Sequence, residues 1–376
     1  MAVYLDCNST APLEPRVQEE VLRYLSIEFG NAGSRTHDFG VRANQAVQRA
    51  REQVARVVKA KRDEVIFTSG ATESNNLAIL GLAKYGQDTG RKHIISTKIE
   101  HKAVLEPLEA LAERGFEVTL IPPTTGGWTD PQAVRDALRD DTLLLSVMHV
   151  NNETGVIQPL PEIIEVLADH SVFLHVDAAQ GYGKEIKALQ SPRIDFISIS
   201  GHKIYGPKGV GALVARRRGF NRPPLTPLLF GGGQERGLRP GTLPVPLVVG
   251  FGLAAELAVS QARERAKACL NYRKKVLSAL APLEPIFNGD LARTVPHVLN
   301  ISFFGLDSEA IMVALKDIIA ISNGSACTSH SYQPSHVLKA MGIKEPIIQG
   351  AIRISWCHMT EELDWEEIVD IIKQLQ

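Results

Sequence analysis

Four stretches of this sequence place polar or reactive side chains where they are costly unless they have a task. Lys203 closes the run Ser198-Ile199-Ser200-Gly201-His202-Lys203, directly after a β-rich apolar segment. A lysine there is an ion-pair partner, the commoner case, or a desolvated amine suited to Schiff-base chemistry. Asp177 follows a second such segment, in His175-Val176-Asp177-Ala178-Ala179-Gln180. A carboxylate at a buried strand end needs a partner, and a protonated ring nitrogen of a bound cofactor is one. Thr68-Ser69-Gly70-Ala71-Thr72-Glu73-Ser74-Asn75-Asn76 leads into a helical pattern. Small residues and hydroxyls at a helix start form a phosphate cradle, although plain N-capping by Thr72 or Ser74 is the simpler reading. Cys327 lies in Ser322-Asn323-Gly324-Ser325-Ala326-Cys327-Thr328-Ser329-His330-Ser331, a small polar run with no apolar periodicity. A cysteine there has no core to fill and reads as an accessible thiol, whereas Cys7 and Cys269 read as packing. The segment Gly206–Gly211 fits neither Walker A nor G-x-G-x-x-G.

The elements that must position these groups are legible as an alternation. Short β-rich runs begin at Val65, His93, Phe116, Leu143, Phe173, Phe196 and Val210, with helical patterns such as Ala103–Arg114 and Pro131–Arg139 between them. That alternation predicts an α/β architecture, a mainly parallel seven-stranded sheet between helices. Ligands of such sheets bind beyond the carboxyl ends of the strands, where Thr68, Asp177 and Ser200 fall. After Gly241 the pattern changes to one long helix over Leu247–Leu280, then a strand at Val298–Ser302, a helix at Ser308–Lys316 and a final helix at Glu361–Leu375. The expected division is a large domain over 14–258, with 1–13 and 259–376 forming a smaller α+β domain.

With 376 residues the chain exceeds the roughly 250–300 at which one core stops growing, consistent with two domains. A net charge of −1 argues against a protein whose main task is neutralising nucleic-acid phosphates. The cluster Arg216-Arg217-Arg218 reads as a solvated surface. Four cysteines without a C-x-x-C pair suggest a reducing compartment. The N-terminus shows no signal peptide, and no segment is uninterrupted enough to span a membrane. The expectation is a cytoplasmic protein.

Taken together, the segments resemble a known family, the fold-type I, class V pyridoxal-phosphate enzymes, and within it the cysteine desulfurases of the NifS/IscS type. The resemblance covers nearly the whole chain. It rests on Thr68–Asn75, Glu100-His101-Lys102-Ala103-Val104, His149-Val150-Asn151-Asn152-Glu153, His175–Gln180, Ser200–Gly209 and Gly231-Gly232-Gly233-Gln234-Glu235-Arg236. It implies pyridoxal 5′-phosphate as cofactor, carried by Lys203 as a Schiff base, with Asp177 on the pyridinium proton. It further implies His101 over the ring and in proton transfer, and Ala71, Thr72, Ser200 and His202 on the phosphate. Gln180 would meet the phenolic oxygen, and Asn151 would lie near both ring and substrate. Thr242 would reach the phosphate of a partner subunit, implying a homodimer with shared sites. Asn31 and Arg353 would grip the carboxylate of the substrate, L-cysteine. Cys327 would take the sulfur as a persulfide and leave L-alanine; Asn323 departs from the family's usual Ser. His330 would lower the thiol pKa or stand as an exposed loop residue. No resident metal is expected, because a zinc site on Cys327 and His330 would need two further ligands.

The acceptor of that sulfur is a separate question. The chain stops at Gln376, where desulfurases serving iron–sulfur assembly usually continue, and Trp356-Cys357-His358 stands where many members have a Leu-Gly-Arg type sequence. Asp177–Lys184, Leu238–Pro246 and Ser355-Trp356 resemble the branch that feeds DNA phosphorothioate modification. The expectation is a sulfur-acceptor protein of that pathway, with no direct binding of nucleic acid and no membrane partner. The alternatives are sulfur donation to iron–sulfur clusters or tRNA thiolation, and selenocysteine lyase or class V aminotransferase chemistry. A cofactor-free sulfur carrier or DNA-binding module built on Cys327 is the rival from another class.

Overall fold

The computed structural model describes residues 2–323 and 334–375. Its strands are β1 (Val3–Tyr4), β2 (Val65–Thr68), β3 (His93–Thr97), β4 (Glu117–Ile121), β5 (Thr142–Met148) and β6 (Phe173–Asp177). They continue with β7 (Phe196–Ser200), β8 (Gly211–Ala215), β9 (Ile286–Phe287), β10 (Val298–Ser302), β11 (Ile319–Ala320) and β12 (Ala351–Ser355). Seven of them form one sheet in the order β2-β8-β7-β6-β5-β3-β4. Only β8 runs against its neighbours β2 and β7; the other pairings are parallel. Every residue of β3, β5, β6, β7 and β8 is buried, while edge strand β4 is largely open. Helices cover both faces, so the inner strands read as continuous apolar runs rather than as alternation.

Two cores follow from this. One packs the helices Asp38–Val57 and Val245–Ser260 on the sheet through Val47, Val54, Phe67, Leu174 and Phe251. The other gathers both ends of the chain, with Leu5 beside Tyr272, Val276, Leu299, Trp356 and Trp365. It lies on the three-stranded antiparallel sheet β12-β10-β9.

Four sequence expectations change here. The helix expected over Leu247–Leu280 is two, Val245–Ser260 and Ala262–Leu280, bent by 74° at Gln261. The first half is buried in the sheet core and the second in the C-terminal core, so a straight helix could not serve both. The last helix begins at Trp365 rather than Glu361. Neither Thr72 nor Ser74 caps the helix Ala71–Leu80, which starts after Gly70 without any side-chain cap; the Ser74 hydroxyl turns back to Gly70 O and Thr68. The arginine cluster is only partly a solvated face, with Arg218 exposed, Arg217 half-buried and Arg216 buried. Arg216 is buried and donates to the carbonyls of Val58 and Leu189, Arg217 pairs with Asp63, and Arg218 pairs with Asp195 at 2.6 Å. No single helix among the described residues is long and apolar enough to cross a membrane.

Candidate active site

Beyond the carboxyl ends of β2, β5, β6 and β7 lies a cleft of about 620 Å³. Lys203 enters it from a short 3-10 turn, Gly201–Ile204, that follows β7. Its Nζ donates to the carbonyls of Asn8 and Ser9, the latter at 2.7 Å. The turn ends on Tyr205, a non-glycine residue in the left-handed region (φ 67°). Its buried ring is held by His358 at 4.6 Å and Arg265 at 4.9 Å, contacts that offset the backbone strain.

Asp177 reaches the cleft at the end of β6. One carboxylate oxygen accepts from the Asn75 amide at 2.7 Å and the other from Ala179 N–H at 3.0 Å. Asn75 stands one helical turn after Ala71, which brings it to the same face as the helix start. The open end of that helix, at Ala71 and Thr72, borders the cleft with Ser200, His202 and Lys208. Uncapped N–H groups, the helix dipole and two lysines favour a bound dianion. Close approach is needed to build this corner. A Cβ at Gly211 would lie 2.6 Å from Gly70 Cα and 2.3 Å from the Ile199 carbonyl, so only glycine lets β8 pass behind the turn.

Burial sets the protonation states. His101 caps the helix Lys102–Ala112 by accepting from Ala103 N–H at Nδ1 (3.0 Å), which leaves the proton of the neutral ring on Nε2. Desolvation is the main cause of its lowered pKa, with Lys203 adding to it and Asp177 opposing. His202, hydrogen-bonded to the Thr10 hydroxyl at 3.1 Å, is pushed down to about 4 by burial and then by Lys203 and Lys208. Glu100, just before His101, is pushed up to about 8 by burial, against hydrogen bonds from Met148 N–H and Thr97. Arg353 points in from β12 and donates to Asp6 at 2.6 Å, to the Ser9 hydroxyl at 2.7 Å and to the Asn152 carbonyl at 3.0 Å. Three buried amide oxygens around the cleft, of Asn8, Asn75 and Gln180, have no partner among the described residues. Buried polar groups are rarely left so, and such a rim suits a flat polar ring. The donor set therefore fits pyridoxal phosphate: an amine, a carboxylate, an imidazole and an anion cradle.

The sequence-derived site residues are not all brought together. Ala71, Thr72, His101, Asp177, Gln180, Ser200, His202, Lys203 and Arg353 share the cleft. Asn151 does not, because its oxygen accepts from Glu153, Thr154 N–H and the Thr154 hydroxyl, and its amide donates to the Ile99 carbonyl. The neighbouring Asn152 lines the cleft. Asn31 and Thr242 line a second cavity of about 950 Å³, beside the buried ion pair of Arg51 and Glu235. Both are exposed, since each lies on a loop at the molecular surface. Cys327 and His330 lie outside the described residues. Asn8, Ser9, Asn75, Asn152 and Lys208 were missed. For Asn75 the helical spacing from Ala71 was a usable signal; for the carbonyls of Asn8 and Ser9 there was none.

The comparisons with known proteins point one way. The family model described as aminotransferase class-V matches residues 3–368. The cysteine desulfurase IscS of Vibrio cholerae is 44% identical over 376 residues, covering 99% of this chain and 92% of its own. The Anaeromyxobacter cysteine desulfurase IscS is 46% identical over 372 residues, 98% of this chain and 91% of its own. Among solved structures, DndA from Streptomyces lividans is 52% identical with a TM-score of 0.82, covering 92% of this chain and 97% of that one. A structure described as SspA in complex with cysteine is 35% identical, TM-score 0.84, over 96% and 100% of the two chains.

Proposed function

The chain belongs to the aminotransferase class-V family, with a fold-type I architecture, and from that premise we propose that it is a pyridoxal-phosphate-dependent L-cysteine desulfurase. The observation that carries the reading is the convergence of Lys203, Asp177 and His101 on one cleft with an uncapped helix N-terminus. When bound, the cofactor supplies an electron sink that stabilises the carbanion at the substrate's Cα. Ala71, Thr72, Ser200 and His202 hold its phosphate, Asp177 its ring nitrogen, and Gln180 its phenolic oxygen. Asn75 fixes the carboxylate of Asp177 for that contact. Lys203 carries the cofactor and moves the Cα proton, with neutral His101 placed to assist. Arg353 turns its guanidinium from Asp6 to the substrate carboxylate, a bidentate partner of matching shape. The Cys327 thiolate then attacks the substrate sulfur and the C–S bond breaks. The sulfur stays on Cys327 as a persulfide, and the three-carbon fragment leaves as L-alanine after protonation.

Asn31 and Thr242 enter this scheme through a second copy of the chain. Ile27 and Phe29, beside Asn31, and Phe230, before Thr242, are 65%, 67% and 88% exposed. A self-complementary contact between two copies would cover these apolar groups and supports the homodimer. For the acceptor, the 52% identity to the Streptomyces lividans chain, against 44–46% to the IscS relatives, favours the DNA phosphorothioate branch. We place the enzyme in the cytoplasm, passing its sulfur to a modification protein.

The test is a visible spectrum of the purified protein before and after L-cysteine, with alanine and sulfide measured in the same tube. A bound chromophore and alanine formed with each sulfur released are expected. Cys327→Ser should keep the chromophore and lose turnover; undiminished alanine production would sink the nucleophile assignment. For the pathway, deletion of the gene should remove phosphorothioate linkages from digested genomic DNA. Intact linkages with failing iron–sulfur enzymes would reverse the branch.

A further inference from the structure

The segment that holds Lys203 on one side carries a thiol pair on the other. Cys7 lies between Asp6, the partner of Arg353, and Asn8 and Ser9, whose carbonyls accept from Lys203. Cys357 lies just past the end of β12. There Asp6 bridges Ser355, and Cys7 N–H donates to the Ser355 carbonyl at 3.1 Å. The two cysteines pack in one small buried cluster with Ala11 and Tyr205, close enough for each thiol to act on the other's ionisation.

The surroundings treat the two sulfurs unequally. The Thr360 hydroxyl lies 3.7 Å from the Cys357 sulfur, and Lys184 stands nearby. Lys184 is 3.2 Å from the His297 ring and has no carboxylate in ion-pair contact among the described residues. A thiolate at Cys357 therefore has the Thr360 hydroxyl as a donor and Lys184 nearby, an amine whose own pKa burial lowers. The shifts agree in direction: Cys357 is lowered, first by the Cys7 hydrogen bond, and Cys7 is raised by the same bond and by burial. Cys357 also borders a surface cleft of about 510 Å³ shared with Lys274, Lys275, His358 and Glu362. A small neutral oxidant has a route to this sulfur.

We propose that Cys7 and Cys357 form a reversible intramolecular disulfide when a hydroperoxide enters that surface cleft. The Cys357 thiolate attacks the terminal peroxide oxygen, the O–O bond breaks, and water or an alcohol leaves with a proton from solvent. The resulting sulfenic acid is attacked by the Cys7 sulfur; its S–O bond breaks, the oxygen takes the thiol proton, and water leaves. Two thiols give up two electrons and the peroxide is reduced by two; a dithiol reductant reverses the change. The bond would tie the Asp6–Ser9 segment, which touches both Lys203 and Arg353, to the end of β12. This reaction is independent of the desulfurase reading, because it uses neither Lys203 nor Cys327.

The experiment uses full-length holoenzyme carrying Cys327→Ser, so that three of the four cysteines remain. After hydrogen peroxide and denaturation, the free thiols should fall from three to one, and dithiothreitol should restore three. A non-reducing digest should yield one peptide pair joined through residues 7 and 357. Adding Cys357→Ser should leave both remaining thiols, Cys7 and Cys269, unoxidised at the same peroxide dose. Three thiols persisting, Cys269 consumed instead, or Cys357 oxidised to sulfinic acid with Cys7 still free would each overturn the proposal. The first measurement does not depend on whether the Cys357 variant folds.

Discussion

Two cavities of the molecule differ in how their candidate residues are held. Around the Lys203 cleft, Asp177, Ser200, Gln180 and Arg353 are buried, and Asp177, Gln180 and Arg353 are fixed by bonds from elsewhere in the chain. In the second cavity, Asn31 and Thr242 are exposed on loops, and among the described residues the Asn31 side chain accepts from its own turn, at Gly33 N–H. One cavity is preorganised by its own fold. The other presents residues that a second copy of the chain would have to place. What distinguishes them is the burial of the candidate residues themselves: Asp177, Gln180 and Arg353 are buried, whereas Asn31 and Thr242 are exposed.

The widest gap between the cavities should appear on removing Lys203. Lys203→Ala is expected to lower desulfurase turnover by roughly three orders of magnitude or more, measured as alanine released. Residual activity above a tenth would mean that the first cavity is not the reacting one. Next, Asn75→Ala leaves Asp177 with one partner fewer, at about 1–3 kcal/mol for an unmet buried group, hence roughly a tenfold to hundredfold loss. Asn75→Asp, whose carboxylate cannot donate to Asp177 and repels it, should lose at least as much; a smaller loss in steady-state rate than for Asn75→Ala would show that this donor does not matter.

Thr242→Ala should cost less, about tenfold, and only through the partner subunit. Mixing Lys203→Ala and Thr242→Ala protomers should recover activity above either parent, because one site of each mixed dimer is intact. No recovery would place Thr242 outside any shared site. The smallest effect on turnover concerns pH and the framework. His149 and His175 are buried and pushed down to about 4, so the unfolded chain takes up their protons first. Stability is therefore lost as pH falls from about 6.5 towards 4, by roughly 3 kcal/mol for each ring. Glu100, raised to about 8 from 4.5, acts in the opposite sense: its contribution is full below 4.5 and lost as pH rises to 8. Denaturant midpoints should thus fall on the acid side as these rings and His202 take up protons, and Glu100→Gln should flatten the alkaline side.

Much of this was readable from the sequence, for a physical reason. Fully buried parallel strands must be apolar runs, and the polar residues that end them stand out against that background. Hence Asp177, Ser200 and Lys203 stood out as candidates that the fold brings to one cleft, along with the seven strands. What could not be read there has a different cause. Asn151 and Asn152 are neighbours of one type, and only the turn's hydrogen bonds decide which is spent on the backbone. The helix over Leu247–Leu280 has one continuous pattern, and its break at Gln261 comes from two cores lying in different directions. Arg216-Arg217-Arg218 reads as surface until the carbonyls of Val58 and Leu189 are seen to receive Arg216.

The sequence by itself determined the alternation of strands and helices, the chemistry of the groups at the strand ends and the family to which they belong. These depend on local composition and spacing, which a linear text carries. Tertiary structure alone decided that the carbonyls of Asn8 and Ser9 hold Lys203, that Asp6 pairs with Arg353, and that Cys7 meets Cys357. Each joins residues about 190 to 350 positions apart, and no local rule of period or propensity reaches across such a distance.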